Sequence, residues 1–154
     1  MKVLLCVTLA GLCVLWAGGC PESKKPAASA PKAAHPVAIS LTGTEWVLTD
    51  LAGTPALPGG KATLAFPEAG RVAGNGSCNR FTGAVTITGD ELRMGPLAST
   101  RMACMEGGVS QQEDQYLRAL GSATRYEYKG PYLLIFAEGF EKPLQFTRTE
   151  SSKP

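Results

Sequence analysis

The sequence predicts a mainly β, α+β domain: a small barrel-like antiparallel sheet of about eight short strands with one packed helix. From about Ile39 to Glu150 the chain runs in short alternating apolar and polar stretches cut by Gly and Pro, which is the pattern of strands joined by tight connections. Two glycine dipeptides, Gly89-Asp90 and Lys129-Gly130, sit where two-residue hairpin loops belong, because glycine reaches positive φ without steric cost. A single segment, "GVSQQEDQYLRALG" from Gly108 to Gly121, changes to helical spacing.

Taken in order, strands are predicted around Glu45–Leu48, Ala62–Phe66, Arg71–Ala73, Ala84–Thr88, Glu91–Met94, Arg125–Tyr128, Tyr132–Phe136 and Leu144–Arg148. The helix is predicted from about Gln111 to Leu120. Ser110 and Glu113 fit a capping box at its start, Asp114 adds a favourable first-turn charge, and Gly121 can end it in the left-handed conformation. Its stripe of Tyr116, Leu117 and Leu120 should close one side or mouth of the sheet, since a helix of about ten residues is marginal in water by itself. Trp46, Phe66, Phe81, Tyr132, Leu134, Phe136 and Phe146 are the candidate core or barrel-interior residues.

The chain has 154 residues, enough for one small domain with appendages. Fifteen basic against thirteen acidic residues leave a formal charge of only +2, with no basic cluster, so nothing points to nucleic acid. Residues 1–19 carry one positive charge, an apolar run from Val3 to Trp16 and closing small residues, an export signal too short to serve as a stable span. The closing "AGGC" resembles a lipobox, which makes Cys20 the lipidated N-terminus of the mature chain; an ordinary secretory signal cut nearby is the alternative. Pro21 stands where an inner-membrane retention signal would show Asp, so the expected location is the outer membrane, facing the periplasm. Residues 20–38 are rich in Pro, Ala and Lys, contain His35, and form an extended tether that could reach roughly 50 Å. The folded domain is expected over residues 39–150, with a tail at 151–154.

Once the signal is removed and Cys20 is lipidated, Cys78 and Cys104 remain. In an oxidising periplasm such a pair is most simply a disulfide, with buried free thiols as the alternative. Other chemistry lacks partners. No histidine lies in the domain to serve a nucleophile, and two cysteines cannot hold zinc. There is no CxxC pair and no phosphate or dinucleotide fingerprint. The enzymatic alternatives are thiol-redox chemistry at Cys78 and Cys104 or carboxylate catalysis, but Glu113 and Asp114 are explained by the helix and Asp90 and Glu138 by turns. No catalytic residue, metal site or cofactor is therefore expected; the expected contacts are a membrane, through the lipid, and an envelope protein or peptide. The sequence does not set the oligomeric state.

Four stretches, "TEWVL", "GNGSCNRFTG", "GPLASTRMAC" and "QQEDQYLRAL", stand in the order and spacing of the META domain, and the sequence resembles HslJ-type META-domain lipoproteins from Leu41 to Phe146. The resemblance implies a barrel-like sheet with a packed helix, no established catalytic mechanism, and links to heat shock, novobiocin resistance and, in a parasite relative, virulence. A likeness within the family to pilot lipoproteins of outer-membrane secretins implies a groove for peptide or lipid. The family's motif positions fall on Cys78, Asn79, Gly83, Thr100, Arg101 and Cys104. Asn79 is expected to brace the turn, with αL open to it, Arg101 to pair with a carboxylate or carbonyl, and Thr100 to act as a turn or strand-end hydroxyl. Ser77 stands before the cysteine where many relatives carry glycine.

Overall fold

In the computed structural model the described residues are 40–58, 61–105 and 107–149, all within one compact unit. The export segment, Cys20, the tether and the tail lie outside them. The elements are β1 (Thr44–Leu51), β2 (Thr54–Pro55), β3 (Thr63–Phe66), β4 (Arg71–Asn75), β5 (Arg80–Thr88), β6 (Glu91–Met94), β7 (Ala98–Ser99), α1 (Val109–Gly121), β8 (Ala123–Lys129), β9 (Tyr132–Ala137) and β10 (Leu144–Arg148).

The strands run β10-β9-β8-β6-β5-β4-β3-β1, and β10 pairs back onto β1, closing an eight-stranded antiparallel barrel. The two-residue strands β2 and β7 are additions, paired to β1 and β5. Closure removes the free edges that an open sheet exposes, and a barrel of this size has an interior that side chains can fill. Here they do: Leu64, Phe66, Val72, Leu92, Leu133, Ile135, Leu144 and Phe146 are all 1% exposed or less. Gly89 turns the β5–β6 hairpin at φ 64°, as the sequence indicated. The β8–β9 turn is one residue later than expected, at Gly130-Pro131, because Lys129 still pairs with Tyr132.

Helix α1 packs its face of Tyr116, Ala119 and Leu120 into the barrel, with Leu117 partly buried beside it. The Tyr116 ring lies 6.0 Å from Phe81 and 6.2 Å from Phe146, and its hydroxyl donates to the Thr63 carbonyl at 3.1 Å. Toward the other end, Trp46, Tyr128 and Tyr126 form a chain of rings 5.8 and 5.9 Å apart. Trp46 Nε1 donates to the Thr44 hydroxyl at 2.7 Å, and that hydroxyl donates to the Leu41 carbonyl.

Three sequence expectations are corrected. On β9 the inward residues are Leu133 and Ile135, whereas Tyr132 is 37% exposed and Phe136 carries the Arg125 guanidinium 3.4 Å above its ring. Leu134 shares the outward parity, yet it is buried, outside the main core cluster. The run "YLLIFA" is apolar on both faces, so its alternation could not choose between them. The capping box is absent: α1 begins two residues early behind Gly108, which makes no side-chain cap, and Glu113 and Asp114 fall beyond the first turn. At the other end Gly121 stays helical, while Ser122 caps the Arg118 and Ala119 carbonyls with both its N–H and its hydroxyl.

The tyrosines set the alkaline limit of the fold. Burial, then neighbouring Tyr126, push the Tyr128 phenol up to about 12 against an opposing pull from Arg148, and burial raises Tyr116 well above 10.0. Raised phenol values mean stability that is intact below the unfolded value near 10.0 and lost as pH climbs through the folded value. Denaturant midpoints should therefore hold through pH 9 and fall from about pH 10 upward. Tyr128→Phe, which also deletes a buried hydroxyl with no partner among the described residues, should flatten part of that fall and leave neutral-pH stability equal or higher.

Candidate functional site: the cysteine-turn clamp

The turn that joins β4 to β5, Gly76 to Asn79, is built around a close backbone approach. A Cβ on Gly74 would collide with the Thr63 carbonyl oxygen, and one on Gly76 would stand 2.8 Å from Glu113 Cγ. Ser77 takes φ 121°, a left-handed region that serine rarely adopts and glycine reaches freely. Asn79, for which αL had been open, does not have positive φ; Ser77 absorbs the irregularity instead.

Glu113 closes this turn from the helix. One carboxylate oxygen, Oε2, accepts from the Cys78 N–H at 3.0 Å and the Asn79 N–H at 2.6 Å, while Oε1 accepts from Asn79 Nδ2 at 2.8 Å. Glu113 is 7% exposed, and no ion pair reaches it among the described residues. Desolvating a lone carboxylate is costly, and three N–H donors offset that cost by replacing its lost water. Next to it, Gln112 Oε1 accepts from the Leu57 N–H at 2.7 Å, and Nε2 donates to the Ser77 hydroxyl at 2.7 Å.

Asn79 relays the clamp to the segment before the helix. Its Oδ1 accepts from the Thr100 hydroxyl at 3.0 Å and the Met102 N–H at 2.7 Å. Thr100 is also stitched to Arg80 in both directions: its N–H donates to the Arg80 carbonyl, and its hydroxyl oxygen accepts from the Arg80 N–H. The disulfide between Cys78 and Cys104, with Cα atoms 6.0 Å apart, ties the same two segments covalently. Gly83, in the β5 wall, leaves room for Leu97, whose Cδ2 would stand 2.7 Å from an added Cβ. Cys78, Asn79, Thr100 and Cys104 are thus brought together, and Gly83 supports the adjoining strand. Arg101 is not part of this: it is exposed, and no carboxylate among the described residues pairs with it.

Glu113 and Gln112 are the site residues that sequence reasoning missed. A signal was present: Glu113 lies three residues before Tyr116 and seven before Leu120, on the very stripe that packs inward. Among the described residues there is no histidine, and no group of three or more His, Cys, Asp or Glu side chains could hold a metal. Every polar group of Asn79 and the carboxylate of Glu113 is engaged within the fold.

The META domain family model matches residues 39–151, the barrel with its clamp. The chain belongs to the META domain family. Among solved structures, it is similar to an NMR structure of a protein from Burkholderia xenovorans, 30% identical with a TM-score of 0.57, covering 71% of this chain and 84% of that one. A second NMR structure, 23% identical with a TM-score of 0.57, covers 70% of this chain and 90% of its own. The crystal structure of a DUF4847 family protein from Bacteroides vulgatus shares the fold at 15% identity and a TM-score of 0.52, covering 71% and 95% of the two chains. No curated protein matches. The mainly β barrel with one packed helix, expected from sequence, is the fold of this META domain.

Ser77 offers a local test of the turn. Ser77→Gly relieves strain and loses the Gln112 bond, terms of about 1 kcal/mol each, so stability should change by less than about 1 kcal/mol. Ser77→Ala loses the bond and keeps the strain. Urea titration should therefore rank alanine below glycine by about 1 kcal/mol; the reverse order would mean that the turn is unstrained.

Proposed function

We propose that this META domain is the periplasm-facing, non-catalytic part of an outer-membrane lipoprotein, anchored through lipid on Cys20 and raised on the tether of residues 20–38. In this reading it supports envelope integrity and stress tolerance, including resistance to novobiocin, through contacts with envelope proteins or lipid. The observation that carries the non-catalytic part is the engagement of Glu113, Asn79, Cys78 and Cys104 with one another. Side chains already committed to bonds inside the fold are poorly placed to act on a substrate.

A second reading, a pilot-like chaperone for a peptide of an envelope partner, is favoured by one feature. Beside α1 lies a shallow open depression of about 500 Å³, with Leu51 and Phe140 among its apolar residues and Arg118 and Glu138 at hand for polar contacts. A peptide is the kind of ligand such a mixed surface suits.

Two measurements test these readings. Cells expressing the full chain should incorporate labelled palmitate and place the protein in the outer-membrane fraction, and Cys20→Ser should abolish both. A deletion strain should become more permeable to novobiocin and detergent; unchanged permeability would contradict the envelope role. In crosslinking from intact cells, an envelope protein whose recovery is lost with Arg118→Glu would favour the chaperone reading.

A further inference from the structure

The segment between β7 and α1 holds two thioethers in water. Met102 is 61% exposed and Met105 93%, whereas Met94, inside the barrel, is 9% exposed. Methionine is a flexible apolar side chain that ordinarily fills core gaps, so two exposed within four residues call for a cause. The clamp supplies one. The Met102 N–H is bound to Asn79 Oδ1, its carbonyl faces Asn79 Nδ2 at 3.5 Å, and Cys104 is bonded to Cys78. The backbone is thus pinned at Met102 and Cys104, on both sides of Ala103, and both thioethers are left facing solvent.

We propose that Met102 and Met105 form a reversible oxidation site, at which peroxide-class oxidants are consumed before they reach the core. In the reaction the thioether sulfur attacks one oxygen of hydrogen peroxide, the O–O bond breaks, and the other oxygen leaves as water after proton transfer. The sulfur is oxidised by two electrons to the sulfoxide, and the peroxide is reduced. Cys104 already shares its sulfur with Cys78 in the disulfide, so it offers no thiolate to compete as the nucleophile. The sulfoxide is polar and needs no burial, so the fold tolerates it at these positions; at Met94 it would disrupt the core. Methionine sulfoxide reductases, drawing two electrons and two protons from a dithiol that closes to a disulfide, return an exposed sulfoxide to the thioether and release its oxygen as water, which makes the site renewable.

The test is peroxide treatment of the full chain in detergent micelles, with peptide mass spectrometry and near-ultraviolet circular dichroism read together. Met102 and Met105 should gain oxygen at least about tenfold faster than Met94, with the dichroism unchanged. A mixture of the two reductase types should then remove the added oxygen. In Met102→Leu/Met105→Leu, oxygen uptake read by mass across peptides of residues 40–149 should drop to the slow rate of Met94. Equal rates at all three sites, loss of the dichroism as the loop is oxidised, or sulfoxides that the reductases leave untouched would each overturn the proposal.

Discussion

Replacing Glu113 with alanine is expected to lower the unfolding free energy by about 3–4 kcal/mol, because it removes the acceptor from a buried and a part-buried backbone N–H and from the Asn79 amide together. The donors are those of Cys78 and Asn79, held at 3.0 and 2.6 Å in the structure. For a domain of this size such a loss corresponds to a fall in Tm of roughly 10–15 °C. Glu113→Gln separates charge from volume. The amide keeps the shape but can accept on only one oxygen, and its NH2 faces donors, so it should still cost about 2 kcal/mol. Equilibrium urea unfolding checks both, with m-values unchanged if the native state keeps its shape. An effect below about 0.5 kcal/mol for alanine would place Glu113 among ordinary surface carboxylates.

Removing the disulfide is the second large effect. Cys78 and Cys104 are 26 positions apart, and closing a loop of that length removes denatured-state entropy worth roughly 3–4 kcal/mol. Cys78→Ser/Cys104→Ser should therefore unfold at a denaturant concentration well below that of the parent, and reduction of the parent should reproduce most of the shift. The hydrogen bonds from Glu113 to the Cys78 and Asn79 N–H groups do not need the bridge, so the reduced protein should retain its barrel below the new midpoint. If reduction left the midpoint in place, the bridge would constrain nothing that Asn79 and Thr100 do not already hold.

How much of this was legible in the sequence depended on whether the signal was local. The β5–β6 hairpin follows from Gly89-Asp90, and the interior places of Trp46, Phe66 and Phe146 follow from alternation in strands with one polar face. The β9 run offered no such contrast, and its parity is set by pairing with β8 and β10 rather than by its own composition. Two short strands escaped notice: Thr54–Pro55 and Ala98–Ser99 are too brief to show a period. Likewise β5 starts at Arg80, four residues before the predicted Ala84, since Phe81 lies inside a stretch that reads as turn by its glycines. The cysteine pair was legible from the count and from the export that the first nineteen residues lead one to expect. The role of Glu113 was not, because its partners lie 34 and 35 positions earlier, and a local rule, the capping box, offered a nearer explanation for the same residue. Long-range satisfaction of a buried carboxylate overrode that local rule.

The outcome for "GNGSCNRFTG" is a change of role. A glycine-rich turn bearing a cysteine suggests a loop that approaches a substrate; here the backbone approaches Thr63 and Glu113 instead. The motif's chemistry is spent on joining the β4–β5 turn, the segment before α1, and α1 itself.

A double-mutant cycle between Asn79→Ala and Glu113→Ala, followed by urea unfolding, tests that clamp most directly. Two residues bound to each other and to the same turn should show a coupling of about 1.5–3 kcal/mol, with the double variant much less destabilised than the sum of the singles. Additive losses, with a coupling below about 0.5 kcal/mol, would show that the two side chains act independently and would contradict the clamp.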